Sequence, residues 1–268
     1  AVAYWLKKGP EDTVTLSFLD SQGDQIKSFA SKPAGDGEGS SVVETQVWAP
    51  AEAGMNRFVW DMRYPSASRV PGDMSTEGEV TGPLAPPGAY QVRIEVGEQS
   101  ETQSFDIVQD PRVKTSREDV AAQFALLVKI RDRLSEAHDA VNRIRAVRTQ
   151  VDEWGKRVEG HSSADVVSKS GQDLKEKLSS IENELIQRDY KGLRDINDLP
   201  TKLNLNLAEL MDVVASADFA PPKQAYDVFA DFSGRLDSQL RGLREVVGKD
   251  LSEFENLLYE LEIPAIVS

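Results

Sequence analysis

The chain has 268 residues, with 31 lysines and arginines against 45 aspartates and glutamates, a net charge of −14, 40% apolar residues and no cysteine. No run approaches the roughly 20 apolar residues that span a bilayer, and the lack of cysteine excludes disulfides, thiolate metal ligands and cysteine nucleophiles. Residues 1–111 hold 8 basic and 17 acidic side chains and the remainder 23 and 28, so neither half offers the basic footprint that nucleic acid or an anionic membrane requires, and the acidity reads as a solvated surface.

The chain opens Ala1-Val2-Ala3-Tyr4-Trp5, without an initiator Met, a basic n-region or an apolar h-region. That composition predicts a fragment of a larger precursor, or a processed chain. In 12–29, Val14, Leu16 and Phe18 alternate with Thr13, Thr15 and Ser17, the period of a half-buried strand. Asp20-Ser21-Gln22-Gly23 supplies turn chemistry, and Gln25 to Phe29 returns as the second arm of a hairpin. Asp20 and Asp24 invite a calcium reading, but the hairpin explains them and EF-hand spacing is absent. Residues 32–41 are Gly- and Ser-rich and predict a flexible loop, followed by a short strand from Val42 to Ala49.

The segment GMNRFVWDMRYP at 54–65 predicts a strand with Phe58, Trp60 and Met62 on one side. A tryptophan in mid-strand is ordinarily a core plug between two sheets; a sugar-stacking platform is the alternative. Residues 65–84 form a long Pro/Gly-rich insertion of the kind that is functional or disordered. In 85–97, Tyr90, Val92, Ile94 and Val96 alternate inward, and Thr102 to Val108 makes a last strand. Short strands with regular turns predict an N-terminal antiparallel β-sandwich, Ig-like or fibronectin-like, over 1–111.

Past Pro111 the apolar period changes to three and four. Ser116 is a good N-cap, with Asp119 three residues on. Four helices are expected at about 117–158, 164–187, 200–216 and 222–262. At 1.5 Å per residue the first would be roughly 60 Å long, which calls for an elongated antiparallel four-helix bundle over 112–268. Gly234, Gly242 and Gly248 make a kink in the last helix plausible. Arg131, His138 and Arg148 fall on or beside the apolar stripe, which suits a monomeric bundle better than a coiled-coil dimer.

Catalytic motifs are missing. His138 and His161 are the two histidines; neither has a partner at metal-binding spacing or follows a nucleophile elbow. No phosphate-binding glycine loop occurs. Asp61 and Glu95 are the one carboxylate pair worth naming for glycosidase-like chemistry, and an exposed strand face explains them as well. Glu176, Glu182 and Glu184 read as solvated helix faces with Lys and Arg partners. No catalytic residue, metal ligand or cofactor follows.

The strings GMNRFVWDMRYP, PPGAYQVRIEVG and VQDPR, with the tail PPKQAYDVFADFSGRLDSQLRGLREVV and DLSEFENLLYELEIPAI, resemble the C-terminal region of bacterial BNR-repeat, sortilin-like β-propeller proteins, often labelled glycosyl-hydrolase-like. The Gly-x-Asn-x-x-x-Trp-Asp and Pro-Gly-x-Tyr pieces are also similar to the Ig-like domain of flagellar hook-capping proteins. The resemblance implies an exported parent with an N-terminal propeller, none of whose Asp-box repeats lie in this chain. It therefore implies a non-catalytic accessory module, a spacer against the propeller domain of the same parent, with the helices holding a protein partner or second subunit. Carbohydrate binding by the sandwich, with Trp5, Trp48 or Trp60 as stacking groups, is the second reading, and hydrolase activity of the fragment a third. Nucleic-acid binding and membrane insertion are not expected, and an extracytoplasmic location is.

Overall fold

The structure is a computed structural model and describes residues 1–32, 47–76, 80–190, 195 and 198–261. Strands precede helices: β1 Val2–Leu6, β2 Val14–Leu19, β3 Gln25–Ala30, β4 Gly54–Phe58, β5 Gly88–Val96 and β6 Gln99–Ile107, then α1 Arg117–Arg157, α2 Ala164–Leu185, α3 Leu203–Ala215, α4 Lys223–Glu245 and α5 Ser252–Glu260. Two compact units result, one of residues 1–65 and 81–124, the other of residues 66–80 and 125–268. The change of periodicity near residue 111 marks where strands give way to helices. The chain divides between its two cores elsewhere.

The first unit contains two antiparallel sheets, β1-β4 and β3-β2-β5-β6. The hairpin of β2 and β3 forms as its pattern predicts, and the Asp20 carboxylate accepts the Gln22 and Asp24 amides at 2.8 and 2.9 Å. That capping role accounts for Asp20. Inward residues of both sheets share one core: Leu16 and Phe18 of β2, Phe29 of β3, Phe58 of β4 and Tyr90 of β5. β1 went unread in the sequence. The segment after β4 differs from expectation as well. The strand ends at Phe58, Trp60 still points inward, and Met62 turns out at a left-handed φ of 58° and is exposed. Positive φ breaks the period of two. The expected strand at 42–49 lies outside the described residues up to 46. Val47 to Ala49 form no strand, although the Ala49 amide donates to the Ala30 carbonyl at 2.9 Å. The expected loop at 32–41 is likewise undescribed beyond Lys32.

In the second unit, Ile130, Leu134, Val141 and Ile144 of α1 are fully buried with Leu178 and Leu185 of α2, Leu207 of α3 and Leu236 of α4. The last helical stretch is not continuous α-helix. Val246–Leu251, which contains Gly248, winds as one π-helical segment between α4 and α5. A π turn takes in an extra residue and resets the side-chain phase, and Phe254 and Leu258 beyond it are buried. Gly234 and Gly242 sit in regular helix.

The insertion at 65–84 forms no helix or strand among its described residues, but it is not free of the core. Ala67 and Val70 are buried with the helical residues. The Ser68 amide donates to Ser135 Oγ at 3.1 Å, Asn142 Nδ2 to the Arg69 carbonyl at 2.7 Å, Arg145 Nη1 to the Pro71 carbonyl at 3.0 Å, and Asn204 Nδ2 to Ser75 Oγ at 2.7 Å. Segment 66–76 is thus a strap tied to α1 and α3, held mostly through its own backbone groups.

Candidate functional site

The three tryptophans proposed as stacking groups have three different fates. Trp60 is buried, stacks on Phe18 with ring centroids 4.5 Å apart, and donates its indole N–H to the Arg63 carbonyl at 3.3 Å. It is a core residue with no face left for a ligand. Trp48 is half-buried. Trp5 is 67% exposed on the outer face of β1 and pairs in register with Met55 of β4, itself 69% exposed.

The acidic pair dissolves into separate ion pairs. Asp61 Oδ2 lies 3.7 Å from Lys27 Nζ, and Glu95 Oε2 lies 3.7 Å from Arg93 Nε. Burial pushes the Tyr4 and Tyr90 phenols up to about 12, so both stay protonated at neutral pH. Their hydroxyls donate to the carbonyls of Pro50 and Pro86. Among the described residues no cluster of three or more His, Asp or Glu is placed to hold a metal, and no helix is long and apolar enough to cross a membrane.

The polar group that stands out is Glu182. Its sequence reading as a solvated residue is wrong: the side chain is 1% exposed. Its position explains why. Glu182 falls four residues after Leu178 and three before Leu185, inside the apolar stripe of α2, and the helical period turns it toward α1. There it meets Arg145 and Arg148, four and seven residues after the buried Val141. Arg145 Nε donates to Glu182 Oε1 at 2.8 Å, Arg148 Nη1 donates to Oε2, and Arg188, just beyond α2, reaches Oε2 at 3.4 Å. Removing a carboxylate from water costs several kcal/mol. The charge-assisted hydrogen bonds from Arg145 and Arg148, stronger than neutral ones, and the longer contact with Arg188 offset that cost.

The arginines themselves are not buried. Their side chains are 34%, 30% and 38% exposed and line a cleft of about 510 Å³ together with Asp152 and Asp189. Asp152 is engaged by Lys175 at 2.6 Å. The sequence did carry a signal for this site: a charged residue at a stripe position on each of two helices. Compared with known proteins, the chain matches no family model, no curated sequence and no solved structure.

Proposed function

We propose that this chain is a non-catalytic accessory module of a larger, exported propeller protein, a spacer that also makes a protein–protein contact. In this reading the two sheets are the faces of an Ig-like sandwich, the helices form a four-helix bundle, and the outer face of β1 and β4 makes the contact. The resemblance of the strings at 54–65, 86–97, 108–112, 221–247 and 250–266 motivates the parent. The observation that carries the contact is the Trp5–Met55 pair. Two large apolar side chains, adjacent in register and both more than two-thirds exposed, form a patch whose burial gives affinity. Trp and Met are enriched where proteins meet.

The same indole supports the second reading, carbohydrate stacking, but less well. A sugar platform needs hydrogen-bonding groups around the ring, and the cross-strand neighbour of Trp5 is a thioether. The test uses Trp5→Ala and Met55→Asp. Affinity capture from the native host, with wild type and both variants side by side, is expected to retain a partner that both variants lose. A partner held equally by all three sinks the contact. Glycan binding lost in Trp5→Ala but kept in Met55→Asp transfers the function to carbohydrate.

A further inference from the structure

We infer that the cleft between α1 and the end of α2 is a binding site for a tetrahedral oxyanion, phosphate or the phosphate group of a small solute. This site is independent of the Trp5 surface and goes beyond the contact role.

The argument begins with charge. In a protein of net charge −14, three guanidinium groups meet around one carboxylate. Glu182 offsets one of the three, and Lys175 offsets Asp152. Asp189, which also lines the cleft, offsets a second arginine, so the surplus is one positive charge. A guanidinium carries five N–H donors, and Glu182 takes only one from each arginine. The Pro71 carbonyl takes one more from Arg145. All three partly exposed arginines line one cavity.

Glu182 has a positive role in this arrangement. A buried carboxylate that grips three arginines fixes their geometry before any ligand arrives, and pre-organised donors bind more tightly because less side-chain entropy remains to be lost. Arg145 is fixed a second time by the strap, through Pro71. The cleft has the volume of an ordinary small-molecule site but a charged lining. An apolar ligand gains little there. A carboxylate offers two oxygens, enough for one fork. A phosphate offers more oxygens in a tetrahedral array and accepts from several forks at once.

The test is calorimetric titration of inorganic phosphate and phenyl phosphate into the intact chain, in chloride buffer at constant ionic strength. Saturable binding to one site is expected, weakened about tenfold or more in Arg188→Gln. Arg188 is chosen because its bond to Glu182 is the longest of the three and its side chain the most exposed, so the fold survives the change. Circular dichroism in chloride checks this. Arg148→Gln supplies a second variant if the first melts early. Equal affinity for the two probes assigns the site to free phosphate, and tighter binding of the ester assigns it to a phosphorylated solute. No saturable heat with either probe, or binding unchanged in both variants, overturns the site.

Discussion

The Nδ1 atom of His138 lies 2.5 Å from the carbonyl oxygen of Ser68. A carbonyl only accepts, so Nδ1 carries the proton and Nε2 the lone pair. Nε2 is buried and has no partner. This neutral tautomer, built into the middle of α1, ties down the strap near its start.

That geometry sets a pH dependence. Burial lowers the His138 pKa from its ordinary 6.5, while the Ser68 carbonyl and the charges of Asp73 and Asp139 oppose the shift in part. A base with a depressed folded pKa binds fewer protons folded than unfolded across the interval between the two values. Stability is therefore full above about pH 6.5, falls as pH drops through that interval, and levels off below the folded pKa. Urea unfolding between pH 7.5 and 5 is expected to show this loss. His138→Asn keeps an N–H donor for Ser68 without titrating near neutrality, and flattens the slope relative to wild type. An unchanged slope in the variant rules out His138 as its source.

Trp60 and Trp5 separate core from surface within one residue type. Trp60→Ala removes a stacked, buried indole and is expected to cost about 3–5 kcal/mol in chemical denaturation. Trp5→Ala deletes a side chain that is mostly in water and is expected to change stability by less than about 0.5 kcal/mol. A Trp5 variant as damaged as Trp60→Ala shows that the outer face of β1–β4 is covered in solution.

Much of the fold was legible because it depends on local period and local hydrogen bonds. The hairpin at 14–30 is an alternating pattern around an Asp turn. The start of α1 is fixed by Ser116 Oγ, which accepts the Asp119 amide at 3.1 Å. The expected helix boundaries fall within a few residues of α1, α2 and α3. What escaped depends on partners distant in sequence. Segment 66–76 has a loop's composition, and its hold on the helices comes mostly from backbone groups, which every residue possesses. Met62 left the strand pattern through a backbone angle that side-chain chemistry does not encode. Glu182 was misread because it was grouped with Glu176 and Glu184 as one charged face, although its place in the stripe, beside Ile181, was visible. Whether a charge in a stripe is solvated depends on what faces it, and Arg145 and Arg148 lie more than 30 residues away.

Two glycines should respond in opposite ways to one methyl group. At Gly171 of α2 an added Cβ would lie 2.9 Å from Val151 Cγ1 and 3.4 Å from Phe254 Cε2. Gly→Ala within a helix gains about 1 kcal/mol in propensity, but forcing a methyl into a packed core costs about 1–3 kcal/mol. Gly171→Ala is therefore expected to be neutral to destabilising by about 2 kcal/mol. Nothing lies within 4 Å of a Cβ at Gly234 of α4, so Gly234→Ala realises the propensity gain and raises stability by about 0.5–1 kcal/mol. Thermal melts of the two variants beside wild type decide the matter. Stabilisation by both shows that α2 does not approach α1 and α5 as closely as 2.9 Å.

The glutamate at the centre of the arginine cleft makes the most demanding prediction. Glu182→Gln conserves volume and retains an acceptor, yet removes the one negative charge that three guanidinium groups share. Breaking a buried ion pair on one side costs about 3–5 kcal/mol. The arginines here are about one-third exposed, and water screens part of their repulsion. The expected loss is therefore about 2–4 kcal/mol in urea denaturation. Because the damage is uncompensated positive charge, added salt should reduce it, and so should a second substitution that removes one of the positive groups. In a double-mutant cycle with Arg148→Gln, the double variant is expected to be more stable than the sum of the single losses predicts, by about 1 kcal/mol or more. Additive losses that salt does not change would mean that Glu182 contributes by packing alone, and that the guanidinium forks are held in place by something other than its charge.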